Sequence, residues 1–144
     1  MSWLKYAVDY GIIGFLFILS IFSVGIAIER FLFIKKVDMD RYRTRQEMEI
    51  DLTKGIHWVA TVGANAPYIG LLGTVLGIML TFYTIGQEGF VDTKKVMVGL
   101  ALALKATAMG LFVAIPSTVL HNTLLRRIRE KVALWEAKNG RQRI

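Results

Sequence analysis

Nineteen consecutive uncharged residues, YGIIGFLFILSIFSVGIAI, separate Asp9 from Glu29. A helix needs about 20 apolar residues to cross ~30 Å of hydrocarbon, so this run predicts a membrane span at about residues 10–34. A cleaved signal peptide is the competing reading. Against it, the flank carries only Lys5, the apolar run exceeds a typical h-region and no short A-x-A site follows. A second uncharged run reaches from Gly55 to Gln87, too long for one straight span. Its membrane part is expected at about 66–85, with a helical extension from about 58. Pro67 would then fall in the first turn, where its missing N–H costs nothing. A third run, about 96–120, is interrupted only by Lys105, and a turn at about 86–95 joins the last two.

Charge placement orients these spans. The segment 35–57 carries six Lys/Arg and the tail from Arg126 to Ile144 seven, against Lys5, Lys94 and Lys95 on the other side. Positive residues gather on the cytoplasmic side, so the expected topology is N-out and C-in. The formal charge of +7 is explained by that flanking pattern, which argues against a nucleic-acid partner. The absence of Cys removes disulfides and thiolate chemistry, and two histidines leave little material for a metal centre. The fold class is an all-α membrane protein, a single unit over 1–144 with three transmembrane helices and helical cytoplasmic extensions. The loop 35–57 mixes acid and base without proline, and the tail 121–144 spaces Leu125, Ile128, Val132 and Trp135 at helical intervals. Gly140 offers a helix stop. The charges on these extensions read as solvated faces, or as a patch for anionic lipid headgroups.

The second span is rich in small residues. Steps of four and three put Gly70, Thr74, Gly77, Thr81 and Thr84 on one helical face, with Gly73 and Gly77 forming a G-x-x-x-G. The third span repeats the pattern with Gly99, Ala103, Ala106, Gly110, Ala114 and Ser117, and Thr107 lies one position along. Pro116 interrupts it where neighbouring helices can satisfy the carbonyl it frees. In lipid, small residues let backbones approach closely. The first span is bulkier and reads as an outer, lipid-facing helix. Intramembrane threonines most often bond back to their own helix, so residue types alone leave close packing and a polar pathway both open.

Lys105 stands out among the apolar residues. Counted along its own span it falls near the midplane, where an ionisable group is costly and calls for a partner. Snorkelling to an interface is the alternative. No acidic residue falls inside an expected span, so a partnering carboxylate is expected from another subunit, or Lys105 is uncharged. No H-E-x-x-H, G-x-S-x-G or phosphate loop is present, and GLLGTVLG lacks the Gly-Lys-Ser/Thr ending. An enzyme is not expected.

Two blocks, APYIGLLGTVLGIM (66–79) and ALKATAMGLFVAIPSTVLHN (103–122), resemble the signatures of the ExbB/TolQ/MotA proton-channel family, most of all its ExbB branch. The resemblance implies a homopentameric ring in the bacterial inner membrane whose second and third spans line a pore around two ExbD-like single-span subunits. Protons would be the coupling ion, with no other cofactor, and a TonB-like protein would carry the work to outer-membrane transport. A TolQ-type role in envelope maintenance and a non-conducting scaffold are the alternatives. Family pore threonines correspond to Thr74 and Thr107, with Thr81 on the same stripe. Pro67, Gly70, Gly73, Gly77, Gly99, Gly110 and Pro116 are the expected packing positions. Three departures stand out. The family glutamate five residues before the second threonine is Leu102 here, Lys105 replaces a usually apolar residue, and the loop between the first two spans is short.

Overall fold

Each uncharged run lies in a helix longer than a bilayer is thick. The computed structural model describes residues 2–142: α1 covers Ser2–Lys36, a 3₁₀ turn Met39–Arg41, α2 Arg45–Leu52, α3 Ile56–Glu88 and α4 Thr93–Gln142. Residues 1, 143 and 144, at the ends of the expected single unit, lie outside the described residues. Helices α1, α3 and α4 are long and apolar enough to cross a membrane. With 50 residues, α4 is about 75 Å long and projects well beyond any bilayer.

The chain runs along α1, back along α3 and forward again along α4. Ser23 of α1 meets Ser117 of α4 through a 3.0 Å hydroxyl bond. The glycines at 63, 70 and 77 of α3 face Thr118, Gly110 and Ala103 in reverse order. Helices α1 and α4 are therefore parallel and α3 antiparallel to both. The turn closing α3 is shorter than the expected 86–95. Gly89 takes a left-handed φ of 78°, and its N–H bonds to the Ile85 carbonyl at 3.2 Å. A side chain would strain that backbone.

Three other expectations are corrected. Pro67 is not in a first turn but inside α3, because the helix begins at Ile56. Its ring takes the helical donor away from the Gly63 carbonyl. Gly140 does not stop α4, which continues to Gln142. The 35–57 segment, expected to extend helically, does so only in part, over Met39–Arg41 and Arg45–Leu52. Thr44 caps α2 by accepting the Glu47 N–H at 3.1 Å, and Gly55, with φ 84°, turns the chain into α3.

The break lets α2 fold against the other helices. Ile34, Met48, Leu52, Val59 and Leu124 are buried there, joined by Ile128, Val132 and Trp135 of α4. The innermost α4 position at this level is Leu124, with the expected Leu125 only partly buried. Arg30 crosses this basic end, donating to the Asp51 carbonyl at 3.1 Å and pairing with Glu29 at 2.6 Å.

Tyr42 is buried in the same cluster and donates its hydroxyl to Asp51. Burial first, and the Asp51 bond second, push its phenol up to about 12. A pKa raised by folding stabilises the native chain fully below the unfolded value of about 10 and loses that contribution as pH rises through the folded value. Phenolate absorbance is expected to show one tyrosine ionising near pH 12, absent in Tyr42→Phe. Identical alkaline titrations of the two chains would contradict this environment.

Candidate functional site

The seam between α3 and α4 is built from backbone. A Cβ placed on Gly70 would lie 2.6 Å from the Ala106 carbonyl oxygen and 3.1 Å from the Gly110 Cα. A Cβ on Gly110 would lie 2.6 Å from the Ala66 carbonyl oxygen. Gly73 and Gly77 sit against the Ala106 and Ala103 methyls in the same way. Gly99, Ala103, Ala106, Ala114 and Ser117 are buried along α4. Thus the two stripes of small residues face one another within one chain, and large residues of both helices, such as Leu71, Met79, Leu104 and Phe112, remain exposed on other faces.

Close approach brings two threonines together. The Thr74 hydroxyl donates across the seam to the Ala103 carbonyl at 2.8 Å, with the Gly70 carbonyl of its own helix at 3.3 Å. It also contacts the Thr107 hydroxyl. A hydroxyl has one hydrogen and two lone pairs. With the Thr74 hydrogen engaged by Ala103, Thr107 is the donor to Thr74 and keeps its own lone pairs to accept another proton. Thr74 is buried and Thr107 partly so. Thr81 does not join them. Its hydroxyl bonds back to the Gly77 carbonyl at 2.8 Å, and Thr84 does likewise to Leu80.

The partner of Lys105 differs from expectation. With Ser23 beside Ser117, an equal step toward the turn end puts Lys105 level with Gly11. That is about 3 Å from Asp9, where the uncharged run of α1 begins. The Lys105 Nζ lies 3.8 Å from Asp9 Oδ2 of the same chain, so no other subunit is required to supply a carboxylate. The Asp9 side chain is 15% exposed and that of Lys105 50%. This pair joins α1 to α4 at the turn end, as Ser23–Ser117 joins them deeper.

Two cavities lie beside the seam. One of ≈540 Å³ at the turn end is lined by Tyr6, Thr81, Thr84, Glu88, Asp92 and Leu102 among others. Inward of it is a void of ≈20 Å³ bounded by Asp9, Gly73, Gly77, Leu102, Ala103 and Ala106. Sequence reasoning missed Asp9 and Ser23. Asp9 looked like a flank because it ends the uncharged run, and one serine in a bulky helix carries no pattern. The signal that could have raised both is the parallel register of α1 and α4, which places an acid beside Lys105 and a hydroxyl beside Ser117.

Residues 20–137 match the MotA/TolQ/ExbB proton channel family. Over 140 residues the chain is 54% identical to the biopolymer transport protein ExbB of Aquifex aeolicus (strain VF5), covering 97% of this chain and 95% of that one. It is 53% identical over 133 residues to a putative biopolymer transport protein, ExbB-like 2, of Helicobacter pylori (strain ATCC 700392 / 26695), covering 92% and 89% of the two chains. Its similarity to the ExbB of Salmonella typhimurium (strain LT2) is 45% over 75 residues, 52% of this chain but 31% of that longer protein. The short loop between α1 and α3 is therefore compatible with end-to-end similarity to the first two relatives.

Proposed function

The chain belongs to the MotA/TolQ/ExbB proton channel family, and on that premise we propose that it is the ExbB-type, proton-conducting subunit of an inner-membrane motor. The observation that carries the reading is the Thr74–Thr107 contact, two hydroxyls meeting between otherwise apolar helices. Hydroxyls can accept and donate protons without a permanent charge, whose burial in lipid would be costly. The three relatives described above, each an ExbB or ExbB-like protein, favour this branch over a TolQ-type role. A family of proton channels is not one of enzymes.

In the proposed assembly, the basic end carrying Arg30 and the long α4 tail is cytoplasmic and the Gly89 turn faces the periplasm, following the positive-inside rule. Five copies form a ring around two ExbD-like single-span subunits, with protons as the coupling ion and a TonB-like protein receiving the work. The exposed apolar faces of α1, α3 and α4 supply surface for lipid and for neighbouring copies. The test is reconstitution of the chain with an ExbD-like subunit in liposomes carrying an internal pH dye. An imposed proton gradient and membrane potential are expected to acidify these vesicles faster than vesicles holding either subunit alone. Vesicles as proton-tight as lipid alone would overturn the proposal.

A further inference from the structure

Three cations at the basic end of the chain stand outside its ion pairs. Arg30, Arg45, Arg126 and Lys138 each meet a carboxylate there. Among the described residues, Lys35, Arg127 and Lys131 take part in no such pair. They also lie together. The Arg127 guanidinium sits over the Phe31 ring, 5.5 Å from its centre, and so joins α4 to α1. Lys131 is four residues beyond Arg127, and Lys35 four beyond Phe31, so each pair shares one helical face. Because α1 and α4 are parallel, the two lysines reach the same level one turn further out.

Depth and surroundings limit what can meet this cluster. Glu29, the first charge past the uncharged run, marks the hydrocarbon edge on α1, with Phe31 and Lys35 two and six residues beyond it. At ~1.5 Å per residue those steps are about 3 and 9 Å. Headgroups form a layer about 5–8 Å thick on each side of the hydrocarbon, so the cluster sits at phosphate depth. Toward the membrane the same two faces turn apolar. Val24 and Ile28 precede Phe31 on α1 and are exposed, and the partly buried Leu120 precedes Arg127 by two turns of α4. Thr123, between them, gives its hydrogen to the Val119 carbonyl of its own helix at 2.8 Å.

We propose that this corner between α1 and α4 binds the phosphate of an anionic phospholipid, with its acyl chains along Val24, Ile28 and Leu120. Basic pockets between membrane helices suit such headgroups. The planar fork of Arg127 can give a phosphate two parallel hydrogen bonds. Stacking on Phe31 holds the fork without using its N–H groups. Lys35 and Lys131 add point charges beside it, a field into which a zwitterionic headgroup would bring its own cation. Lipid binding here needs only helices that span a membrane, so it stands or falls apart from proton conduction.

Native mass spectrometry of the full chain in detergent, titrated with phosphatidylglycerol or phosphatidylcholine, counts bound lipid directly. The chain is expected to hold phosphatidylglycerol under conditions that strip phosphatidylcholine. Each cation near an anionic lipid is worth about fivefold in affinity, so Arg127→Gln with Lys131→Gln should weaken binding about 25-fold. Arg126→Gln with Arg129→Gln removes two charges from other faces of the same turns and should leave binding unchanged. Phe31→Leu keeps an apolar side chain under Arg127 but loses the stacking, at a cost of about two- to fivefold. Equal retention of the two lipids by the wild-type chain would overturn the proposal. So would undiminished binding in the Arg127 and Lys131 variant, or an equal loss in the control. Inorganic phosphate at the lipid's concentration is expected not to compete; if it does, the corner takes soluble anions and the lipid assignment fails. If the double variant is not recovered folded, the wild-type preference and Phe31→Leu decide.

Discussion

Gly110→Ala is expected to destabilise the chain by about 1–3 kcal/mol, the usual cost of overpacking a well-filled interior. The new methyl would arrive 2.6 Å from the Ala66 carbonyl oxygen and 3.0 Å from the Gly70 Cα. Both obstacles are backbone, so no side chain can swing aside and the helices themselves must separate. Separation would also lengthen the Thr74 bond to Ala103, formed along the same seam. Gly14→Ala is the control, since nothing lies within 4 Å of the site its Cβ would take. There alanine is expected to be neutral or to add up to about 1 kcal/mol of helix propensity. Unfolding in mixed detergent measures both. Equal stability for the two variants would contradict so close an approach of the two backbones.

Thr74→Val should separate stability from function. Valine fills nearly the same volume but has no hydrogen to give Ala103 and no lone pair for Thr107. Interhelical hydrogen bonds in membranes average only about 0.6 kcal/mol, because the unfolded chain also finds partners. Melting is therefore expected to change little. Proton-driven work should fall by about a hundredfold or more, as when a positioned proton-transfer group is removed. Thr107→Val should fall similarly. Energised uptake in cells, with protein level and detergent melting recorded beside it, reads the two effects separately. Normal uptake in both valine variants would remove the hydroxyls from the mechanism.

The sequence made the architecture readable because spans, charge flanks and small-residue stripes are local patterns. Spacing alone put Gly70 and Gly77 on one face of the second span, and Ala103 and Gly110 on one face of the third. What spacing could not show was which partner each polar group takes. Thr74 and Thr81 lie on one stripe and look alike in sequence, yet one bonds across the seam and the other back to its own helix. The choice depends on which backbone oxygen of α4 comes opposite, a matter of interhelical register. Lys105 shows the same limit. Its depth was counted along one helix, whereas the contact with Asp9 depends on how α1 is aligned beside α4. The break at Gly55 was hidden because a polar segment free of proline gives no sign of a turn until its positive φ is known.

The central claim, that the hydroxyl at position 74 carries protons and does not merely hold helices together, is tested most directly by proton flux at equal incorporation. Thr74→Ser and Thr74→Val complexes, reconstituted with the ExbD-like subunit, would be compared with wild type in dye-loaded liposomes. The serine complex is expected to conduct close to the wild-type rate and the valine complex to approach the background of empty vesicles. Equal conduction by serine and valine complexes would contradict the account, leaving Thr74 as a packing residue.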